Sequence, residues 1–172
     1  IPLDLGSAVQ AAIAVARQED LLVYSGLASL GGAGLLNTAG VGSVKLKTWN
    51  EVGMAVEDII NAATELDNVG FHGPYALALA PKLYNRLLRR YPQGQTTELE
   101  HIRQVATDGV VKAAGLAAGG VLLDTGSSSA HIVLGQDLMT GFVGPAGGEY
   151  EFSVTETLAL WVKQPQAVCV LK

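Results

Sequence analysis

Serine, histidine and cysteine are the side chains of this sequence that could act as nucleophiles, bases or metal ligands. Three serines at positions 127–129 follow a glycine, but they lack the Gly-x-Ser-x-Gly pattern that exposes a serine nucleophile and are typical of a turn. His72, His101 and His131 are scattered, without the spacing of a metal site. The single Cys169 excludes an internal disulfide and lies in an apolar run, which indicates a buried thiol. We therefore predict no catalytic, metal-binding or cofactor-binding residue.

Glu156 is an acid on the apolar face of a pattern that is typical of a long strand. Apolar and polar side chains alternate through residues 149–163, which is the period of a half-buried strand. A carboxylate on such a face needs a partner, because burying it alone costs several kcal/mol. We predict a structural acid, paired across strands or subunits. Catalysis is the alternative, although no carboxylate or histidine is close in sequence to support it.

Residues 67–73 combine an aromatic side chain and a histidine with glycines, between a predicted helix and a predicted strand. Glycine permits tight backbone turns, and the charge of a histidine changes near neutral pH. Two interpretations stay open: a simple helix-to-strand turn and a functional loop. The candidate residues are Asp67, Asn68, Val69, Gly70, Phe71, His72 and Gly73.

Helices are predicted at four places that position these candidates. The expected starts are a cap at Asp4 for residues 5–19, a cap at Asn50 for a helix reaching Leu66, Pro81 in a first turn, and a capping box at residues 97–100. In the third helix we expect Leu88 to face inward with its neighbour Leu87.

The remaining apolar runs predict strands, so the expected fold class is α+β. The strands are expected at residues 21–24, 75–80, 110–114, 121–124 and 132–134, in the long C-terminal run, and in a short run at 167–171. Residues 142–148 carry a proline and three glycines and predict a crossover. We divide the chain into residues 1–48, 49–142 and 143–172, with the first and last pairing in space as one layer beside the middle subdomain.

Composition favours an oligomer and argues against two classes of partner. Only 16% of the 172 residues are charged and 49% are apolar, so a monomer would expose much apolar surface. The alternative is a compact, alanine-rich globule. The net charge is −5, with no basic cluster beyond residues 86–90, which argues against nucleic acid. The longest apolar run is shorter than the ~18–20 residues of a membrane helix, so no membrane partner is expected.

Five motifs in order resemble the shell proteins of encapsulin nanocompartments, once described as linocin-type bacteriocins. They are DLGSAVQAAIAVARQEDLLVYSG (4–26), LGGAGLLN (30–37), GFHGPYALALAPKLYNRL (70–87), LGQDLMTGF (134–142) and TETLAL (155–160), the last followed by a Pro-Gln-Ala-Val tail. The resemblance implies a tailed-phage major-capsid-like fold with an axial and a peripheral subdomain. The N-terminal arm and extended loop of that family have no counterpart in these residues.

The same resemblance implies a function and two sites. The expected function is self-assembly into an icosahedral compartment, in the cytoplasm of a bacterium or archaeon, around a ferritin-like or peroxidase cargo carrying a C-terminal targeting peptide. The shell chain itself would hold no cofactor, while iron or heme would belong to the cargo. Residues 67–73 would line a pore at the five-fold axis, and the inner wall that docks cargo would include Leu158, Leu160, Val168, Val170 and Leu171. The alternatives are a major capsid protein of a tailed phage or provirus and a protease-like or bacteriocin-like enzyme.

Overall fold

The computed structural model of the protein describes residues 5–172. The helices are α1 (Gly6–Ser25), α2 (Met54–Asn68), α3 (Pro81–Arg86) and α4 (Glu98–Val105). The strands are β1 (Gly42–Val44), β2 (Tyr75–Leu79), β3 (Gly109–Lys112), β4 (Gly120–Asp124), β5 (Ala130–Ala146), β6 (Glu149–Val162) and β7 (Val168–Leu171). The expected α+β class is confirmed. Among the described residues, no helix has the length and hydropathy needed to span a bilayer.

Five strands form a mixed sheet in the order β1-β7-β4-β2-β3. β4 is antiparallel to both of its neighbours, while β1 is parallel to β7 and β2 is parallel to β3. Four strands therefore run in one direction and β4 runs against them. The sheet takes strands from all three of the predicted ranges of the chain, and the division into subdomains stays a prediction.

Both faces of this sheet are covered, as the continuous apolar runs in β2 and β7 indicate. On one face α2 and α4 contribute Ile59, Leu66 and Ile102, which pack against Leu77 and Leu122 with at most 1% of each side chain exposed. On the other face Leu35 joins Ala78, Val121 and Val168, with the ends of α1 and β6 packed against them. The buried core thus lies around the sheet.

The remaining two strands form a long antiparallel hairpin, β5–β6, that pairs from Ala130 with Val162 to Ala146 with Glu149. Two of our predictions are wrong here. The expected short strand at 132–134 is part of a 17-residue strand, and the expected crossover at 142–148 is the tip of the hairpin. Gly147 and Gly148 have positive φ of 59° and 92°, which suits a two-residue hairpin turn. Strand β6 confirms the long C-terminal strand.

Helix α1 extends through the predicted strand at residues 21–24, so that prediction is also wrong. The helix ends at Gly26, whose φ is 74° and whose N–H donates to the carbonyl of Leu22. The last carbonyls, of Val23 and Tyr24, accept from the amides of Leu35 and Leu36 at 2.9 Å. Tertiary contacts thus satisfy the helix end and override the β preference of these residues. The cap expected at Asp4 lies outside the described residues.

Two details of the predicted helices need correction, and one is confirmed. Helix α2 begins after Gly53, whose N–H is held by Glu98, so Asn50 is not its cap. Helix α3 ends before Leu87, which is fully buried, and Leu88 is 54% exposed because it lies beyond the helical turn. The capping box of α4 is present, with the Thr97 side chain and Glu100 bonded reciprocally.

Candidate functional site

The loop of residues 67–73 begins in the last turn of α2 and leads into β2. The amides of Gly70 and Phe71 each lie 3.0 Å from carbonyl oxygens of α2, those of Asp67 and Leu66. Gly70 and Gly73 have φ of 91° and 83°, a backbone region that favours glycine. The chain therefore reverses tightly at both glycines, as the sequence predicts.

Asp67 is the hydrogen-bonding centre of this loop. Its Oδ1 lies 2.9 Å from Nδ1 of His72 and accepts from the Tyr75 hydroxyl at 2.9 Å. The hydrogen bond from His72, and then that from Tyr75, lowers the pKa of Asp67. Burial, and then the bond to Asp67, raises the pKa of Tyr75. The Phe71 carbonyl also lies within hydrogen-bond distance of the Tyr75 hydroxyl, so the single proton of that hydroxyl is shared between Asp67 and Phe71 and one tyrosine side chain contacts two parts of the turn.

A second carboxylate, that of Asp124 at the end of β4, ties the loop to the base of the hairpin. Its Oδ2 accepts from the Gly73 amide at 3.0 Å, and its Oδ1 accepts from the Gly126 amide and the Ser129 hydroxyl, both at 2.8 Å. Asp124 and Ser129 are both buried. The Ser129 carbonyl in turn accepts from the amides of Lys163 and Gln164. Loop, turn and hairpin therefore meet at one carboxylate.

The loop presents a mixed surface to solvent. Val69 is 54% exposed and the His72 side chain is 72% exposed, while Phe71 is half-buried against the core. The loop thus offers an exposed imidazole and an apolar edge, while its aromatic ring is half-buried.

Glu156 lies at the groove between α1 and the hairpin, without the cation that we predicted. Among residues 5–172 no ion pair includes it. It shares a cavity of about 430 Å³ with Glu19 and Asp137, and burial, then the charges of these two acids, raises the pKa of Glu156. Pairing within the chain is therefore wrong, because the neighbouring charges are acidic. Pairing across subunits stays a prediction.

The five residues of the predicted docking wall fall in two different environments. Leu158 and Leu160, on β6, line a cavity of about 190 Å³ with Leu22 and Leu27. Val168, Val170 and Leu171, on β7, are at most 3% exposed because β7 lies between β1 and β4 inside the sheet. These three side chains form no surface in the chain, so their burial in a core strand does not match their predicted place on the docking wall. Docking at Leu158 and Leu160 stays a prediction.

The other chemistry-bearing side chains do not converge. The serines form the expected turn, with the Ser129 amide 2.9 Å from the Gly126 carbonyl. His131 contacts the Ser127 carbonyl and lies 2.9 Å from the Lys163 ammonium on the exposed base of the hairpin. Cys169 is buried, and burial raises its pKa to about 11. Within the described range, no group of three or more His, Cys, Asp or Glu is placed to hold a metal ion.

Sequence reasoning missed Asp124 as an anchor of the loop. The signal was present, because Asp124-Thr-Gly126 is typical of a turn in which an aspartate side chain accepts from the amide two residues later. The partner Gly73 lies 51 residues away in the sequence, and no local pattern indicates that contact.

Comparison with known proteins relates the chain to shell proteins. Residues 1–159 match the family model Linocin_M18, described as encapsulating protein for peroxidase. The chain is 36% identical to the type 1 encapsulin shell protein EncA of Myxococcus xanthus, over 100% of the chain and 60% of that protein. Among solved structures it is similar to a virus-like particle from Pyrococcus furiosus, with TM-score 0.86 and 26% identity over 98% of the chain and 68% of that subunit.

The fold is also similar, at lower sequence identity, to that of a phage capsid protein. The capsid of Myoviridae phage XM1 matches with TM-score 0.69 and 17% identity, over 98% of the chain and 65% of that protein. The chain therefore has a tailed-phage capsid-like fold, as the resemblance implied. It spans 60% of the length of EncA.

Proposed function

Because the chain belongs to the encapsulin family, we propose that it is a structural shell subunit rather than an enzyme. Copies of it assemble into a closed icosahedral particle, in the cytoplasm of a bacterium or archaeon, around a cargo enzyme that carries a targeting peptide. The family description, encapsulating protein for peroxidase, supports a peroxidase cargo, and a ferritin-like cargo is the alternative. Heme or iron belongs to that cargo.

The exposed apolar hairpin is the observation that carries this proposal. Phe142, Tyr150 and Phe152 lie side by side near its tip, with ring centroids 5.4–6.0 Å apart, and are 62%, 71% and 48% exposed. None of the residues of β5 or β6 is fully buried. An isolated two-stranded hairpin is marginally stable, and exposed apolar surface of this extent marks an interaction site. Neighbouring copies that cover the hairpin supply the missing burial.

The loop of residues 67–73 lines a pore in the assembled shell. Support comes from its fixed backbone together with the exposed Val69 and His72. A loop held by Asp67 and Asp124 keeps an opening of constant size, through which ions and small molecules pass while proteins do not. Protonation of His72 would make such an opening more positive.

Cargo docks on the part of the predicted wall that has accessible side chains. Leu158 and Leu160 line an apolar cavity against α1, and a few apolar side chains of a targeting peptide would gain about 1.5–3 kcal/mol each on full burial there. The buried Val168 supports this surface from within, because Leu160 packs against its cluster, whereas Leu171 lies in the core cluster on the other face of the sheet.

The experiment is size-exclusion chromatography with light scattering on the full-length protein and two variants. Wild type should form particles of many subunits, and Phe142→Ser with Tyr150→Ser should shift them towards monomers. Leu88→Ser is the matched control, because Leu88 is also 54% exposed but lies outside the hairpin, and it should assemble more completely than the double variant. A monomeric wild type would refute the proposal.

The contents of the particle separate this function from a phage or provirus capsid, which shares the fold. Mass spectrometry and nucleic-acid staining of purified particles should reveal an enclosed enzyme and no packaged DNA. DNA without cargo protein would favour the capsid.

A further inference from the structure

A cavity lies at one edge of the five-stranded sheet, opposite the loop of residues 67–73. Strands β1, β2, β3 and β7 run in the same direction, so their carboxyl ends meet at a single edge. Residues just beyond the ends of three of these strands line the cavity: Leu46 two residues after β1, Ala80 directly after β2 and Lys172 directly after β7. In open sheets with parallel strands, this edge is where ligand-binding crevices form.

The cavity collects cationic side chains in an acidic protein. Its lining includes Lys47, Lys82, Arg86 and Lys172, which are four of the eleven lysines and arginines in a chain of net charge −5. No acidic side chain of residues 5–172 is part of the lining. Such a concentration of one sign of charge in a concave site attracts ions of the opposite sign.

The contacts within the chain leave much of this charge without a partner. Lys47 pairs with Glu57 at 2.6 Å, and Arg86 donates to the Thr48 carbonyl, which is not an anion. Neither Lys82 nor Lys172 forms an ion pair with any residue of the described range. The guanidinium of Arg86 has further donors available in a planar fork that matches carboxylate and phosphate groups.

The remaining walls indicate the kind of ligand. Ala80, Leu83 and Ala117 give the floor an apolar part, and the volume is about 460 Å³, which is in the range of small-molecule sites. Backbone bonds hold the rim, since Leu46 donates to the Lys172 carbonyl at 2.6 Å and Ala80 donates to the Gly119 carbonyl at 3.0 Å. The cavity is therefore formed before any ligand enters.

We propose that this cavity binds a small molecule with two or more negative charges, carried by phosphate or carboxylate groups. Lys82, Lys172 and Arg86 hold the anionic groups at the rim, and the apolar floor contacts the rest of the ligand. The site is separate from the pore loop, which lies at the other end of the sheet, and it shares no lining residue with the docking cavity at Leu158 and Leu160.

Isothermal titration calorimetry tests the site on the full-length protein in its assembled state. The probes are pyrophosphate and citrate, which separate phosphate from carboxylate recognition. At least one should bind, with an affinity that falls as sodium chloride is added. Lys82→Gln should weaken binding about tenfold, as expected for the loss of one charge-assisted hydrogen bond.

Lys45→Gln is the matched control, because Lys45 is exposed next to the cavity in sequence but does not line it. Its affinity should stay within about twofold of wild type, since an exposed charge outside the site is screened by salt. If Lys82→Gln does not fold by circular dichroism, Lys172→Gln replaces it. Binding of neither probe, or equal weakening by the control, would overturn the proposal.

An acidic side chain of a second copy is the competing occupant. In that case neither probe would bind the assembled protein, and Lys82→Gln would reduce the yield of particles. That outcome also overturns the proposal.

Discussion

Two regions of the molecule differ in how many of their side chains are buried. The sheet region is the five-stranded sheet with α2–α4, and the outer region is α1 with the β5–β6 hairpin. In the sheet region even charged groups are inside: Glu98 accepts from Arg89 at 2.9 Å and from the Gly53 amide at 2.7 Å, with none of its side chain exposed. Asp58 likewise accepts from the Trp49 indole. In the outer region no residue of α1, β5 or β6 is fully buried.

This difference distinguishes a region with a core of its own from a region that leaves most of its side chains exposed. Every buried side-chain nitrogen and oxygen of the described residues has a hydrogen-bond partner, so the sheet region is complete within one chain. The outer region has secondary structure but little core, and in the proposed shell neighbouring copies would cover its exposed apolar surface. In the proposed shell, the sheet region would carry the loop of residues 67–73 and the outer region would gain its burial on assembly.

Loss of a buried charge should produce the largest effect on the sheet region. Glu98→Ala leaves the Gly53 amide without an acceptor. It also removes the counter-ion of the Arg89 guanidinium, whose side chain is 30% exposed and which keeps its bonds to backbone carbonyls. We expect a loss of about 3–5 kcal/mol in the free energy of unfolding, because removing one partner of a buried pair strands the other. Urea unfolding followed by circular dichroism measures it.

The control is an ion pair on the surface of the same region. Glu57→Ala removes the partner of Lys47, and both side chains are at least 45% exposed, so we expect a loss of about 0–1 kcal/mol. Similar losses in the two variants would mean that the Glu98 pair is not buried in solution.

Asp124 lies where the two regions meet, and its replacement should have an intermediate effect. Asp124→Asn turns one acceptor into a donor, so either the Gly73 amide or the Gly126–Ser129 turn loses its partner. We expect a loss of about 1–3 kcal/mol, the cost of a buried donor left unsatisfied. Hydrogen exchange of the Gly73 amide should become faster.

Ser129→Ala is the control that distinguishes the contact of Asp124 with the hairpin from its contact with the loop. It removes one donor to Asp124 Oδ1, while Gly126 still donates to that oxygen. We expect a loss of about 0.5–1.5 kcal/mol in the free energy of unfolding and no change in hydrogen exchange of the Gly73 amide. If Ser129→Ala accelerates exchange at Gly73 as much as Asp124→Asn does, the carboxylate does not act on the loop directly.

The sheet region was largely predictable because local signals determine it. These signals act over only a few residues, as in the capping box at Thr97, the proline that opens α3 and the apolar run of β2. The loop of residues 67–73 was also recognisable from its glycines. Its anchor at Asp124 was not, because the contact is created by β2 pairing with β4.

The outer region was harder to predict because contacts between residues distant in sequence determine it. Residues 21–24 have the composition of a strand, but hydrogen bonds from Leu35 and Leu36 complete a helix. Most of β5 is exposed in one chain, and its glycines resemble those of a loop. Partners of Glu156 could not be identified because the groove brings together acids from α1 and both hairpin strands, which are far apart in sequence.

The smallest effect is expected at Glu156, in the groove of the outer region. Its pKa is raised by burial and by Glu19 and Asp137, so the folded chain keeps this proton over a pH interval in which the unfolded chain has lost it. The free energy of unfolding therefore falls as pH rises through that interval, which begins near the ordinary glutamate value of 4.5. Glu156→Gln should remove this dependence and slightly raise the melting temperature at neutral pH.

Glu151→Gln is the control, because Glu151 is exposed on the same strand, and it should leave the pH dependence unchanged. Melting curves of dissociated subunits and of assembled particles then distinguish two environments for Glu156. Repulsion within the chain predicts that Glu156→Gln stabilises both. A cation supplied by a neighbouring copy predicts that the same change stabilises subunits but destabilises particles, because the charge is then paired only on assembly. The second result would restore the pairing across subunits and make Glu156 part of the contact that completes the outer region.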